Sequence, residues 1–277
     1  MKKISYSKLV SYLILTIALL ITIFPIYFLI VTSFKTFTEA FSYPPSLIPK
    51  NFTIEAYISV LNKWGFATFA TNSIIITITS TLLSLALGVP MAYALARLKF
   101  GKNLNDTLAF TILSFRLLPP IVGIIPLFIV YSFLGLNDTY QGMILAYTSF
   151  NLPLVVWLIR GFIQELPKEI EEAALVDGAS HYTILRKIIL PLSLPAILTT
   201  GTLTIIQSWN EFIIAVFLTS KYRKTVPILL SSFIGDQQYF WNELTAASTI
   251  ALIPVAILIA IVQRQLVRGL TFGAVKG

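Results

Sequence analysis

The chain has 277 residues, of which 56% are hydrophobic and only 12% charged, and its mean hydropathy is +0.83. Soluble domains carry about 25% charged residues, so this composition argues against a water-soluble enzyme. There is no cysteine and one histidine, which removes disulfides, thiolate nucleophiles and the usual transition-metal ligand sets. The net charge of +8 comes from residues at the ends of apolar runs rather than on one polar face, which speaks against nucleic acid.

In chain order, an N-terminal segment 1–8 with Lys2, Lys3 and Lys8 precedes an uncharged run, 9–34. That run is too long for a signal-peptide core and lacks a small-residue cleavage pattern, so it reads as an uncleaved first span. A connecting loop, 35–63, is rich in turn formers, among them Pro44, Pro45 and Pro49. Further spans follow at 64–97, 107–131 (interrupted by Arg116) and 139–160, then a polar loop at 164–190. The last two spans are 191–220, with Glu211 inside it, and 244–264; a loop at 221–243 separates them and a tail of 265–277 ends the chain. Each run can cross about 30 Å of hydrocarbon as a helix, and the period-2 pattern of barrel strands is missing. The expectation is an all-α membrane protein with six transmembrane helices.

Lys and Arg set the orientation. With the N-terminus inside, the inner segments hold Lys2, Lys3, Lys8 and the groups at 97–102, 160–168, 186–187 and 264–276. The outer segments hold Lys35, Lys50, Lys63, Lys221, Arg223 and Lys224, fewer than half as many. The positive-inside rule then puts both termini in the cytoplasm, although the cluster at 221–224 runs against it.

The loop at 164–190 contains polar sequence that a mere connection does not require. Pro167 suits a first helical position, Glu169, Glu171 and Glu172 suit the N-terminal end, and Gly178 suits the C-terminal cap. Ser180 is placed to cap a second helix running through Tyr182, Leu185 and Ile188 towards Pro191. Ile170, Ala173, Ala174 and Asp177 share one face, narrow enough at the alanines to lie in a groove on another protein. An ordinary interfacial connector is the alternative, although the acidic residues are unlike a membrane-surface helix.

Glu172-Ala-Ala, then Gly178, Ile188 and Leu190-Pro191, resembles the EAA motif of ATP-binding-cassette (ABC) importer permeases. The segments 157–162, 171–180 and 190–192 resemble the carbohydrate-uptake branch, particularly the maltose-type second permease subunit. So do Asn72-Ser73, 92–97, 209–212 and 266–277. The resemblance covers nearly the whole chain. It implies type I ABC importer architecture, with a second homologous permease subunit, two cytoplasmic ABC ATPase subunits and an extracytoplasmic sugar-binding protein as partners. Site 164–190 would be the cytoplasmic coupling loop that docks on an ATPase. By the same resemblance, Glu172 would make a polar contact there, and Ala173 and Ala174 would allow close approach. Asp177 and Gly178 would form the turn, and Pro191 would end the second loop helix. This chain would bind no cofactor, with ATP and Mg held on the ATPase subunits; its sequence contains no P-loop pattern. A di- or oligosaccharide is the first expected cargo, with glycerol-3-phosphate or another polar metabolite as the alternative.

Arg116 and Glu211 are the full charges well inside the spans, where an ionised group costs near 3 kcal/mol even on the lower scales. They either pair or bracket a pathway, or form a structural pair or a snorkelling arginine. Trp209, Asn210 and Glu211 offer an aromatic face beside polar groups, the mix a sugar uses; a helix–helix contact explains them equally well. Tyr239, Phe240 and Trp241 read as an interfacial belt. Prolines 119, 120 and 126 break the third run, and Gly88 and Pro90 mark a bend in the second. His181 is a solvated or interface residue by default. A stand-alone secondary transporter or channel remains the competing class, because broken helices and buried charges serve such proteins too; an intramembrane enzyme ranks last.

Overall fold

The structure, a computed structural model, describes residues 6–101, 103–235 and 239–271. Lys2, Lys3, Lys102, Lys276 and the tail from Phe272 onward lie outside the described residues, as do the side chains of Arg264 and Arg268. The elements are helices: α1 (Tyr6–Ser33), α2 (Phe37–Ala40), α3 (Glu55–Asn62), α4 (Phe66–Arg97), α5 (Leu104–Leu117), α6 (Pro120–Leu134), α7 (Tyr140–Glu165) and α8 (Glu169–Val176). Then come α9 (His181–Ile184), a π-helical turn (Leu185–Ile189), α10 (Leu190–Leu192), α11 (Leu194–Trp209), α12 (Ile213–Leu218), α13 (Val226–Ser232) and α14 (Trp241–Thr271). Among the described residues, four helices are long and apolar enough to cross a membrane, or there are up to six spans if each of two bent pairs counts as one. Contacts divide the chain into two units, residues 1–68 with 229–253, and residues 69–228 with 254–277.

In the first unit α1 keeps its apolar surface largely open, with Leu13, Leu20 and Ile21 all above 60% exposed. The segment after it is tied down by two charges. Lys35 is buried; its Nζ donates to the Ser46 carbonyl oxygen (2.6 Å) and lies 4.8 Å from the Phe28 ring centre. The Glu39 carboxylate accepts from the Ser46 hydroxyl and from the backbone N–H groups of Lys50 and Asn51. These bonds replace the regular ladder that a proline-rich stretch cannot form. Glu243, in the first turn of α14, is 8% exposed and accepts from the Ser59 hydroxyl (2.5 Å) and Trp64 Nε1 (3.0 Å). Trp64 packs in turn on Phe233 and Phe240, so Phe240 serves a packed aromatic group, while Tyr239 stacks on Trp241.

The second unit is built on α4 and α7. Val89, Ala92 and Tyr93 of α4 pack with Val155, Ile159 and Ile163 of α7 and with Ile184 and Ile189. A second cluster joins Ile76 to Met143, Tyr147, Ile214 and Leu218. Gly88 is a contact point within an unbroken α4: a Cβ there would stand 2.5 Å from Val155 Cγ1. Small residues permit such backbone approach between membrane helices. The connection after α12 is held by Asp138, whose carboxylate accepts from the N–H groups of Lys221, Tyr222 and Arg223, and by Asn72, which donates to the carbonyls of Tyr222 and Lys224. The Arg223 guanidinium lies 4.0 Å over the Tyr140 ring, and Tyr140 donates to Asn72 Oδ1.

Two of the expected spans differ from single straight helices. The run 107–131 is α5 and α6, meeting at 89° across Leu118 and Pro119, both extended. Each precedes a proline, which disfavours helical backbone, and neither Pro119 nor Pro120 can donate an N–H. The run 191–220 is broken as well. A helical stretch His181–Leu192 meets α11 at 74°, and α11 stops at Trp209 before α12 resumes.

Candidate functional site

The loop after α7 folds into a short helix with a complete C-terminal cap. Helix α8 starts at Glu169, two residues later than Pro167 would set it, with Lys168 as N-cap. It ends on Asp177, and Gly178 has φ +81°. The Gly178 N–H bonds to the Leu175 carbonyl (3.0 Å) and the Ala179 N–H to the Ala174 carbonyl (2.9 Å). This is the Schellman pair of bonds, and the residue between them needs the left-handed backbone that glycine adopts freely. Ser180 Oγ then accepts from the Thr183 N–H and starts α9, as its position predicts. The helix continues towards Pro191 through the π turn, and the bend falls at Ser193 rather than at Pro191.

The expected shared face of Ile170, Ala173, Ala174 and Asp177 is split, with Ala174 half-buried and the other three exposed. Glu172, Ala173, Asp177 and Gly178 are exposed, Pro191 is exposed, and Val176 is 88% exposed. Ala174 is half-buried and packs on the cluster of Val89, Tyr93 and Ile184. Only one of the two alanines is therefore open; the other brings α8 close to its own chain. Glu171 is buried and forms an ion pair with Arg97 (2.5 Å). Neither Arg97 nor the special status of Glu171 follows from local spacing, since 74 residues separate them.

The in-span charges form a second group. Arg116, at the end of α5 beside the 89° break, donates through Nη1 to the Phe150 carbonyl (2.7 Å) and through Nη2 to Gln207 Oε1. It lines two cavities. One, of about 340 Å³, is bounded by Phe115, Arg116, Leu118, Pro119, Val122, Gly123, Ser149, Phe150 and Pro153. The other, of about 20 Å³, brings Arg116 together with Tyr147, Asn151, Gln207, Ser208 and Glu211. Arg116 and Glu211 thus share a cavity without forming an ion pair. Glu211 Oε1 accepts from the Ile214 N–H and so satisfies a free donor at the start of α12. Asn151 Nδ2 donates to Ser208 Oγ (2.7 Å), and Tyr147 donates to the Glu211 carbonyl (3.3 Å).

The aromatic part of the expected group lies elsewhere. Trp209 is 7% exposed and lines an apolar cavity of about 140 Å³ with Ile74, Thr77, Ile78, Ile205, Pro254, Val255 and Leu258. Asn210 is exposed, and its side chain bonds back to the Ile206 carbonyl. Gln207, Asn151 and Ser208 complete the polar cavity in their place. Their one sequence signal is uncharged polar residues inside apolar runs, one helical turn from Glu211 in the case of Gln207.

Fold and clusters together define a transport subunit with the all-helical, type I ABC importer architecture. The chain belongs to the family described as binding-protein-dependent transport system inner membrane component, which it matches over residues 84–272. It is 37% identical to the trehalose transport system permease protein SugB of Mycobacterium tuberculosis, over 83% of this chain and 85% of that one. It is 36% identical to the trehalose/maltose transport system permease protein MalG of Thermococcus litoralis, over 93% of each. Among solved structures it resembles a chain of a bacterial ABC transporter involved in the import of the acidic polysaccharide alginate. That match has 26% identity and a TM-score of 0.76, and covers 95% of this chain and 99% of the other.

Proposed function

We propose that this permease imports a di- or oligosaccharide delivered by an extracytoplasmic binding protein, alternating between inward- and outward-open states as separate ATPase subunits bind and hydrolyse ATP. The observation that carries the reading is the exposed, rigidly capped helix α8. Its Glu172, Ala173 and Asp177 stand open on the surface, at the positions where the EAA motif places them. A short helix with a fixed end transmits displacement, where a flexible loop would absorb it. In this reading both termini and the loop 164–190 are cytoplasmic, α8 seats in a cleft of an ATPase, and a second homologous permease completes the pathway. ATP and Mg belong to the ATPase subunits, and this chain performs no hydrolysis. Loaded binding protein and ATP must both favour the outward-facing assembly, since a ligand moves such an equilibrium only by its differential affinity.

Disaccharides of the trehalose and maltose type come first as cargo, supported by the names of the relatives; glycerol-3-phosphate or another polar metabolite is the alternative. The polar cavity at Arg116, Gln207 and Glu211 lines the route, while Trp209, in a separate apolar cavity, and Asn210, bonded back to the Ile206 carbonyl, stand outside it. Its donors and acceptors suit hydroxyl groups. The test is uptake of a labelled disaccharide by the reconstituted complex. Glu172→Lys and Gly178→Asp should abolish uptake while leaving membrane insertion intact, and normal uptake in both overturns the docking role. Arg116→Gln and Glu211→Gln should each reduce uptake; unchanged rates in both remove the cavity from the route. Flux catalysed by the purified chain alone would instead identify a stand-alone carrier.

A further inference from the structure

Beside the outward-facing Glu172 stands a carboxylate turned the other way. Arg97 is the last residue of α4. Its Nε donates to Glu171 Oε1 in the first turn of α8 (2.5 Å), and its Nη2 donates to the carbonyl oxygen of Leu166, the C-cap of α7 (2.8 Å). The two charged side chains are 6% and 8% exposed. One guanidinium therefore ties the ends of three helices. One turn back on α4, Tyr93 places its hydroxyl 3.4 Å from Nδ1 of His181, the first residue of α9, so the second arm of the loop is held from the same helix.

A buried ion pair is a poor way to gain stability, because apolar groups of equal volume hold helices together at least as well. Arg97 Nη1 is moreover buried without an acceptor, which a purely structural tie would avoid. What the pair supplies is direction, since a planar guanidinium bonded through two of its nitrogens fixes the angle at which α8 leaves α7.

We propose that the Arg97–Glu171 pair is the joint that makes α8 move as one body with the ends of α4 and α7. Glu171 is thus a positioning residue of the coupling loop, distinct in role from its neighbour Glu172. This rests on the reading that α8 docks on an ATPase, and the experiment separates the two ideas. The native chain has no cysteine, so labels can be placed at Val176→Cys on α8 and Met91→Cys on α4, both exposed. In the full reconstituted complex, the distance between nitroxides at these positions is measured without nucleotide and in the ATP-trapped state. The same narrow distance is expected in both states. Glu171→Gln and Arg97→Gln should broaden it, and sugar moved per ATP hydrolysed should fall about fivefold. The exchange Arg97→Glu with Glu171→Arg should recover both readouts in part, and Arg97→Lys should fall between native and Gln. A native distance that changes with nucleotide, or Gln variants with an unaltered distance and transport ratio, overturns the joint. Variants that fail to insert are replaced by the exchange and by Arg97→Lys, and absence of any recovery or gradation there also overturns it. Disulfide capture of Val176→Cys by a cysteine in the ATPase cleft reads docking alone. If capture never occurs, the docking reading falls; if capture persists while the Gln variants behave as native, only the joint falls.

Discussion

Gly88→Ala adds one methyl group where α4 meets α7, and the structure fixes what that methyl encounters. An ideal Cβ lies 2.5 Å from Val155 Cγ1, 3.2 Å from Val155 Cβ and 3.4 Å from Leu152 Cδ1. Carbon pairs settle at about 3.5–4.0 Å, so the overlap with Cγ1 is about 1 Å or more. Val155 is fully buried, and a β-branched side chain in a helix has essentially one rotamer, so it cannot turn away. Overpacking of this kind costs about 1–3 kcal/mol. Alanine recovers about 1 kcal/mol over glycine as a helix former, leaving a net loss of about 0–2 kcal/mol. In a Val155→Ala background Cγ1 is gone and the remaining 3.2 Å approach to Cβ needs a shift of a few tenths of an ångström. There Gly88→Ala should lie within about 0.5 kcal/mol of neutral. Equilibrium denaturation in mixed micelles of the parent, both single variants and the double variant gives the coupling directly. A Gly88→Ala change with the same effect on stability in both backgrounds would refute the close-approach argument.

Three further outcomes follow from groups outside the spans. The Asp138 carboxyl lies below its usual range: burial would raise it, but the N–H donors of Tyr222, Arg223 and Lys221 and the Ser220 group outweigh that. Its contribution is therefore complete above the ordinary aspartate pKa and is lost as pH falls through the lower folded value. Hydrogen exchange at 221–223 should rise over that acid window in the parent; in Asp138→Asn it should already be raised at neutral pH and show little further acid dependence. Glu39 is likewise held below the usual carboxylate range, first by the Lys50 N–H and also by Ser46 and Asn51. Glu39→Ala should open the 42–51 segment to protease while α1 stays protected, and an unchanged cleavage pattern would count against the tie. Gly178→Ala forces a β-carbon into left-handed backbone at a cost of about 1–2 kcal/mol, with Gly178→Asn milder. Exchange at the Ala179 amide should rank glycine, asparagine, alanine from slowest to fastest, and a different order would dispute the Schellman cap.

The sequence discloses some of these features because they are local. In α8, the acidic first turn, the terminal glycine and the capping Ser180 sit within one stretch, and each acts on backbone a few residues away. The helix and its end are therefore readable from residue types alone. Hydropathy registers how greasy a segment is but not its direction, so the run 107–131 shows no sign of an 89° turn beyond the consecutive prolines at its vertex. Glu211 is legible as a costly charge, yet its bond to the Ile214 amide appears only once α11 is seen to stop at Trp209. Ala174 and Trp209 carry the right residue types but face other surroundings, because which side of a helix is inward depends on packing remote in sequence. Arg97 and Glu171 are the extreme case: both are ordinary surface charges on paper, and tertiary structure alone makes them partners.

The breaks between α5 and α6 and between α11 and α12 interrupt the helical ladder within apolar sequence, so carbonyls that end one helix and amides that begin the next lack regular ladder partners. Hydrocarbon has nothing to offer such groups, and acyl chains cannot be their neighbours. The flank of the second unit that bears these gaps, with Arg116 and Gln207 on it, must therefore be turned towards another polypeptide or towards water. That requirement gives the subunit a front and a back before any companion is built beside it.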